Sequence, residues 1–153
     1  MYFIIIALFL LILPAGSVAY EMSNHSGDLI ALIGKWFTFW AVGVRLGVAG
    51  LRQTFDPGYT AREIFEIQET SALPIVQELG FANISMGFVG AMSLLISPWI
   101  QAAALVGGLY YLLAGVKHVL NREKRNAERS MAMISDLFIA LVLGFYLAAT
   151  YVM

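Results

Sequence analysis

At 153 residues, with 60% hydrophobic and 12% charged side chains and a mean hydropathy of +0.80, the chain is far more apolar than a soluble domain, for which about 45–50% apolar and about 25% charged are usual. A net charge of −1 and the lack of cysteine leave no basic nucleic-acid surface, no disulfide, no thiolate metal site and no thiol chemistry. The expectation is one all-α integral membrane bundle, because the apolar stretches approach the roughly 20 residues that cross a bilayer core and are continuous, not alternating as in a barrel.

Five spans are predicted: an N-terminal hydrophobic helix over 1–20 and four core helices over 30–51, 74–96, 99–120 and 131–153. The first carries no Lys or Arg before its apolar run and reads as a retained helix with a kink at Pro14. A cleaved signal peptide, suggested by the Ser17-Val18-Ala19 ending, is the alternative. In the connection after span two, Asp56-Pro57-Gly58 is a turn, and Thr60 with Glu63 reads as a capping box opening a surface helix over 60–72. Its glutamates make it acidic, so it suits contact with protein or with the basic 121–130 loop better than contact with anionic lipid, and a solvated helix without a partner is the alternative. Spans three and four meet in a tight hairpin at Ser97-Pro98-Trp99.

Basic residues set an expected orientation. Arg52 and Arg62 flank the second connection, and Lys117, Arg122, Lys124, Arg125 and Arg129 cluster around the fourth, while the first offers Glu21, His25 and Asp28. The positive-inside rule then puts the N-terminus and both basic loops in the cytoplasm and the C-terminus outside the inner (plasma) membrane. Lys35, near the outer end of span two, is expected to snorkel past Trp36 to the interface.

Ionisable residues within spans are costly, and by default they mark structural pairs or functional sites. Arg45, Glu78 and Asp136 all fall within roughly 6–9 Å of the inner interface at 1.5 Å per residue, and Lys117 and His118 close the same end of span four. Asn83 adds a buried amide. At 100° per residue Arg45 shares a face with Thr38 and Ala41, opposite Gly43, Gly47, Gly50 and Trp36. In span three Gly80, Asn83 and Gly87 form a smooth face, opposite Glu78, Ala82 and Ser85. The glycine faces predict close helix packing, and grooves not used within the chain would be open to another. Glu78 and Ser85 are expected to look toward the layer of Arg45 and Asp136. Two readings of that layer stand: a closed ion pair that locks register, or a cytoplasm-facing site for an anionic group or a proton.

No metal or cofactor site is predicted, since His25 and His118 lie on opposite sides of the bilayer in this topology and no HExxH occurs. Ser85, Ser93 and Ser135 lack an assured histidine partner, which disfavours nucleophilic catalysis.

Taken together, "KWFTFWAVGVRLGVAGLRQ" (35–53), "ELGFANISMG" (78–87), "GGLYYLLAGVKHV" (107–119) and "AMISDLF" (132–138) resemble an uncharacterised family of small multi-pass membrane proteins over about residues 31–150. A looser likeness is to the DoxX-like membrane proteins, some linked to quinone-dependent metabolism, though no motif here carries that chemistry. The resemblance implies a helical membrane bundle and assigns no activity. The expected function is that of an accessory, scaffold or subunit acting through helix packing, in contact with lipid and with a second copy or another membrane protein. The alternatives are a small transporter or binding protein for an anionic or amphipathic compound at the Arg45 layer and, less favoured, an enzyme using lipid or quinone.

Overall fold

The computed structural model describes residues 2–24, 27–120 and 127–152, with residues 2, 3 and 127–129 as backbone alone. His25 and the basic residues Arg122, Lys124 and Arg125 lie outside the described residues, as does the Arg129 side chain. Six helices follow in order, with no strand among the described residues: α1 (Ile4–Asn24), α2 (Leu29–Phe55), the short α3 (57–64), α4 (Leu73–Met92), α5 (Trp99–Leu120) and α6 (Ala127–Val152). All but α3 carry a segment long and apolar enough to cross a membrane.

Local chemistry explains the ends and irregularities. Pro14 cannot donate a backbone hydrogen bond, and its ring would crowd the Leu10 carbonyl in a regular α-turn. The chain answers with a wide π-turn over Leu8–Ile12, in which the Leu13 N–H reaches the Leu8 carbonyl, and the helix continues. Asp28 caps α2 by accepting from the Ala31 N–H at 3.0 Å. A second π segment, Thr38–Leu46, occupies the middle of α2.

The surface helix departs from the sequence expectation. Asp56, not Thr60, caps it by accepting from the Tyr59 N–H at 3.3 Å, with Pro57 at the first helical position, where its missing N–H costs nothing. Thr60 is instead buried inside the helix. The helix stops at Ile64, eight residues short of the expected end. Glu66 takes a left-handed conformation (φ 57°) and the Ile67 N–H closes back onto the Ala61 carbonyl at 2.8 Å. The α4–α5 connection is also longer than the expected three residues, with turns running from Ser93 to Pro98.

Two kinds of packing hold the bundle. The first is a side-chain core in which α1 supplies Ile6 and Leu10, α2 supplies Phe37, Ala41, Val42 and Leu46, α5 supplies Ala104 and Tyr111, and α6 supplies Ile139, Leu143 and Tyr146. The second is a backbone contact between α2 and α4. A Cβ on Gly90 would lie 2.5 Å from the Gly43 nitrogen, one on Gly87 would lie 2.6 Å from Gly47 Cα, and one on Gly50 would lie 2.7 Å from the Gly80 carbonyl oxygen. Close backbone approach through small residues is the packing that suits apolar helices of membrane-spanning length, for which lipid would offer no water to expel. The glycine faces predicted as grooves therefore face each other within one chain, and the premise that they stand open to a partner does not hold.

The first helix is part of this bundle. Besides Ile6 and Leu10 in the core, Phe9 stacks on Trp40 at 6.0 Å, and the Trp40 indole N–H donates to Ser17 Oγ at 3.0 Å. A chain beginning at Gly27 is accordingly expected to lose its cooperative melting transition, measured by circular dichroism in detergent. An unchanged transition would show that α1 contributes nothing to the core.

Candidate functional site

Three helices meet in one polar layer. From α2, Arg45 places its guanidinium 6.0 Å from the centre of the Tyr111 ring of α5. Tyr111, 1% exposed, donates its hydroxyl proton to the Ala41 carbonyl at 2.7 Å, within the π segment of α2. A wide turn tilts its carbonyls off the regular ladder, which suits an acceptor that takes a bond from a neighbouring helix. From α6, Asp136 is 6% exposed, and its Oδ2 lies 3.9 Å from Nε2 of the half-buried His118 of α5. Arg45 is also the positive charge that acts on both Asp136 and Tyr111. A buried carboxylate in an apolar bundle needs such company, because an isolated ion there costs several kcal/mol, roughly the scale of a whole domain's stability.

The layer is smaller than the sequence implied. Arg45, His118 and Asp136 come together. Glu78 does not: it is exposed on the outer face of α4 with Ser85, because Gly80 and Gly87 turn the opposite face of that helix against α2. Lys117 points outward from α5. Asn83 is buried but belongs to the glycine contact, where its amide donates to Gln53 Oε1 at 2.7 Å. Trp36 also leaves the face assigned to it. Uniform rotation of 100° per residue placed it with the glycines, but the π segment between changes the rotation, and its indole instead faces α1.

Sequence reasoning missed two residues. Tyr111 lies seven positions before His118, two helical turns along the same face, so the spacing was readable. Gln53 follows Gly50 by three and so extends the glycine face to a polar end.

A second polar cluster ties α1 to α2 near their other ends. Lys35 Nζ donates to both carboxylate oxygens of Glu21 at 2.8 Å, and the Trp36 indole N–H donates to Glu21 Oε2 at 2.6 Å. Lys35 thus has a counter-ion from the first helix instead of reaching for the interface alone.

A profile described as a family of unknown function, DUF6790, matches residues 1–152. The chain belongs to this family. The match includes α1, which the resemblance over 31–150 had left out, and it carries no link to the DoxX-like proteins. No curated protein and no solved structure matches the chain.

The hydroxyls considered for catalysis are engaged with their own helices. Ser85 donates to the Phe81 carbonyl at 2.8 Å, Ser93 to Gly90 at 2.7 Å and Ser135 to Ala132 at 2.9 Å. These are local back-bonds of the kind helical serines make in apolar surroundings. No group of three or more His, Asp or Glu suited to a metal occurs among the described residues.

Proposed function

We propose that this is a multi-pass plasma-membrane protein, with its N-terminus and basic connections in the cytoplasm, that acts as an accessory or scaffold subunit through lateral contact with a second copy of itself. The observation that carries the reading is a pair of opposite charges on outward faces at one depth. Glu78 and Lys117 are exposed on α4 and α5, and neither has a hydrogen bond or ion pair among the described residues. Gly90 lies level with Gly43 and Gly107 with Val42. Counting about 1.5 Å per residue, Glu78 sits about 18 Å and Lys117 about 15 Å toward the inner side of that level. Phe81, 54% exposed and one turn from Glu78, has a matching surface in the shallow apolar groove of about 500 Å³ that Leu113, Val116 and Leu120 form beside Lys117. Pairing α4 of one copy with α5 of the next would neutralise both charges away from water, where each alone is costly.

Charge exchange tests this. The protein in mild detergent is expected to migrate as an oligomer, Glu78→Lys or Lys117→Glu alone to release monomer, and the double exchange to restore the oligomer. A wild-type chain that is monomeric at all concentrations overturns the reading.

One observation favours a second reading, proton or anion handling at the Arg45 layer: half-buried His118 stands between the surface and the buried Asp136. Dissipation of a pH gradient in proteoliposomes that vanishes on Asp136→Asn would favour it over the scaffold.

A further inference from the structure

A groove of about 530 Å³ runs between α1 and α2, lined by Ile12, Leu13, Gly16, Ser17, Tyr20, Glu21 and Trp36, with the Ser17 hydroxyl engaged by the Trp40 indole. Its polarity is graded along the helix. Glu21 lies three residues, about 4.5 Å, from the end of α1 at Asn24, whereas Gly16 lies about 12 Å and Ile12 about 18 Å from that end. If α1 crosses a bilayer, the polar end of the groove is at headgroup depth and the apolar floor is at acyl-chain depth. The floor is open at one defined point, because a Cβ added to Gly16 would meet nothing within 4 Å.

We infer that this groove is a binding site for one phospholipid with a zwitterionic, amine-bearing head of the phosphatidylethanolamine type, its acyl chain lying over Gly16. At the head end Glu21 lines the groove and holds Lys35 behind it, so a negative and a positive group stand side by side, with both side chains about one quarter exposed (28% and 26%). An ammonium has three donors, and Lys35 gives two contacts to Glu21, which leaves one for a phosphate oxygen. Exposed Tyr20, on the groove wall, supplies a hydroxyl at the same depth. A head carrying both signs can address both members of this neutral pair, while a head of net negative charge meets a lysine that Glu21 has already neutralised. The volume is within the roughly 300–1,000 Å³ of small-molecule sites. This site is independent of the Glu78–Lys117 contact.

The test uses the full chain carrying Trp99→Phe, so that Trp36 and Trp40, beside the groove, are the remaining indoles. It is reconstituted in vesicles of phosphatidylethanolamine and phosphatidylglycerol with bromine on the acyl chains of one lipid or the other. Brominated phosphatidylethanolamine is expected to reach half-maximal quenching at about threefold lower mole fraction, the selectivity that an interfacial ion pair supplies. Gly16→Phe, and separately Gly16→Leu, should remove that difference while leaving helix content and melting unchanged. Equal quenching by the two lipids, or stronger quenching by phosphatidylglycerol, overturns the inference. So does weak quenching by both, which would mean that protein fills the groove, or selectivity that survives both Gly16 substitutions.

Discussion

Gly87→Leu is expected to abolish cooperative melting of the bundle, or at least to lower its stability by about 3 kcal/mol or more, at the upper end of what overpacking costs. The new Cβ would fall 2.6 Å from Gly47 Cα and 2.7 Å from its nitrogen, and both are backbone atoms that no rotamer change can move. Helix α4 would have to withdraw from α2, and it could not do so at one residue alone, since Gly43 with Gly90 and Gly50 with Gly80 lie along the same line of contact. The buried bond from Asn83 to Gln53 would be pulled apart with them, leaving polar atoms unsatisfied at a cost of about 1–3 kcal/mol. Gly144→Ala is the control: nothing lies within 4 Å of its added Cβ, so it should be neutral or stabilise by about 0.5–1 kcal/mol through helix propensity. Thermal melts in one detergent compare the two directly. A Gly87→Leu protein that melts like the wild type would mean that α2 and α4 are not in backbone contact.

The second large effect is expected at the polar layer. Arg45→Met removes the positive charge that acts on Asp136 and leaves a buried carboxylate beside the His118 imidazole at 3.9 Å. Taking the positive charge from beside a buried carboxylate costs about 3–5 kcal/mol, while Asp136→Leu alone should cost less, because the half-buried Arg45 guanidinium keeps the Tyr111 ring beside it. The double variant should recover most of the loss, since two apolar side chains need no counter-ion, and the coupling energy in the cycle should exceed about 1 kcal/mol. Chemical or thermal unfolding of the four proteins reads it. Strictly additive losses would show that the two residues do not interact. The same four proteins separate the two functional readings, because a scaffold regains its oligomer in the stable double variant, while a proton or anion site stays inactive in all three.

Much of the architecture was legible without coordinates. Continuous apolar runs of bilayer length can satisfy their backbones only as helices, so five long helices and one all-α bundle followed from composition and length. The smooth face of Gly80, Asn83 and Gly87 followed from a 100° rotation, because α4 is a regular helix through those residues. The surface helix was misplaced by a rival cap. Asp56 followed by Pro57 starts a helix as well as Thr60 with Glu63 does, and only the backbone at Glu66 reveals where it ends.

The candidate site was less legible, for a different reason. Sequence gives depth in the bundle and, in a regular helix, relative angle. It does not give the absolute rotation of a helix against its neighbours. Arg45, Glu78 and Asp136 share a depth, but a shared depth does not bring side chains on different helices together. The rotation of α4 is set by its glycine contact with α2, which turns Glu78 outward, and the π segment in α2 resets which residues follow Arg45 around that helix. The helices and the level of each charge could be read from the residues alone, because both depend on the chain's own period and hydropathy. Which charges meet was decided only in the tertiary structure, because the closest-packing face of each helix, not its charged face, fixes the angle at which it docks.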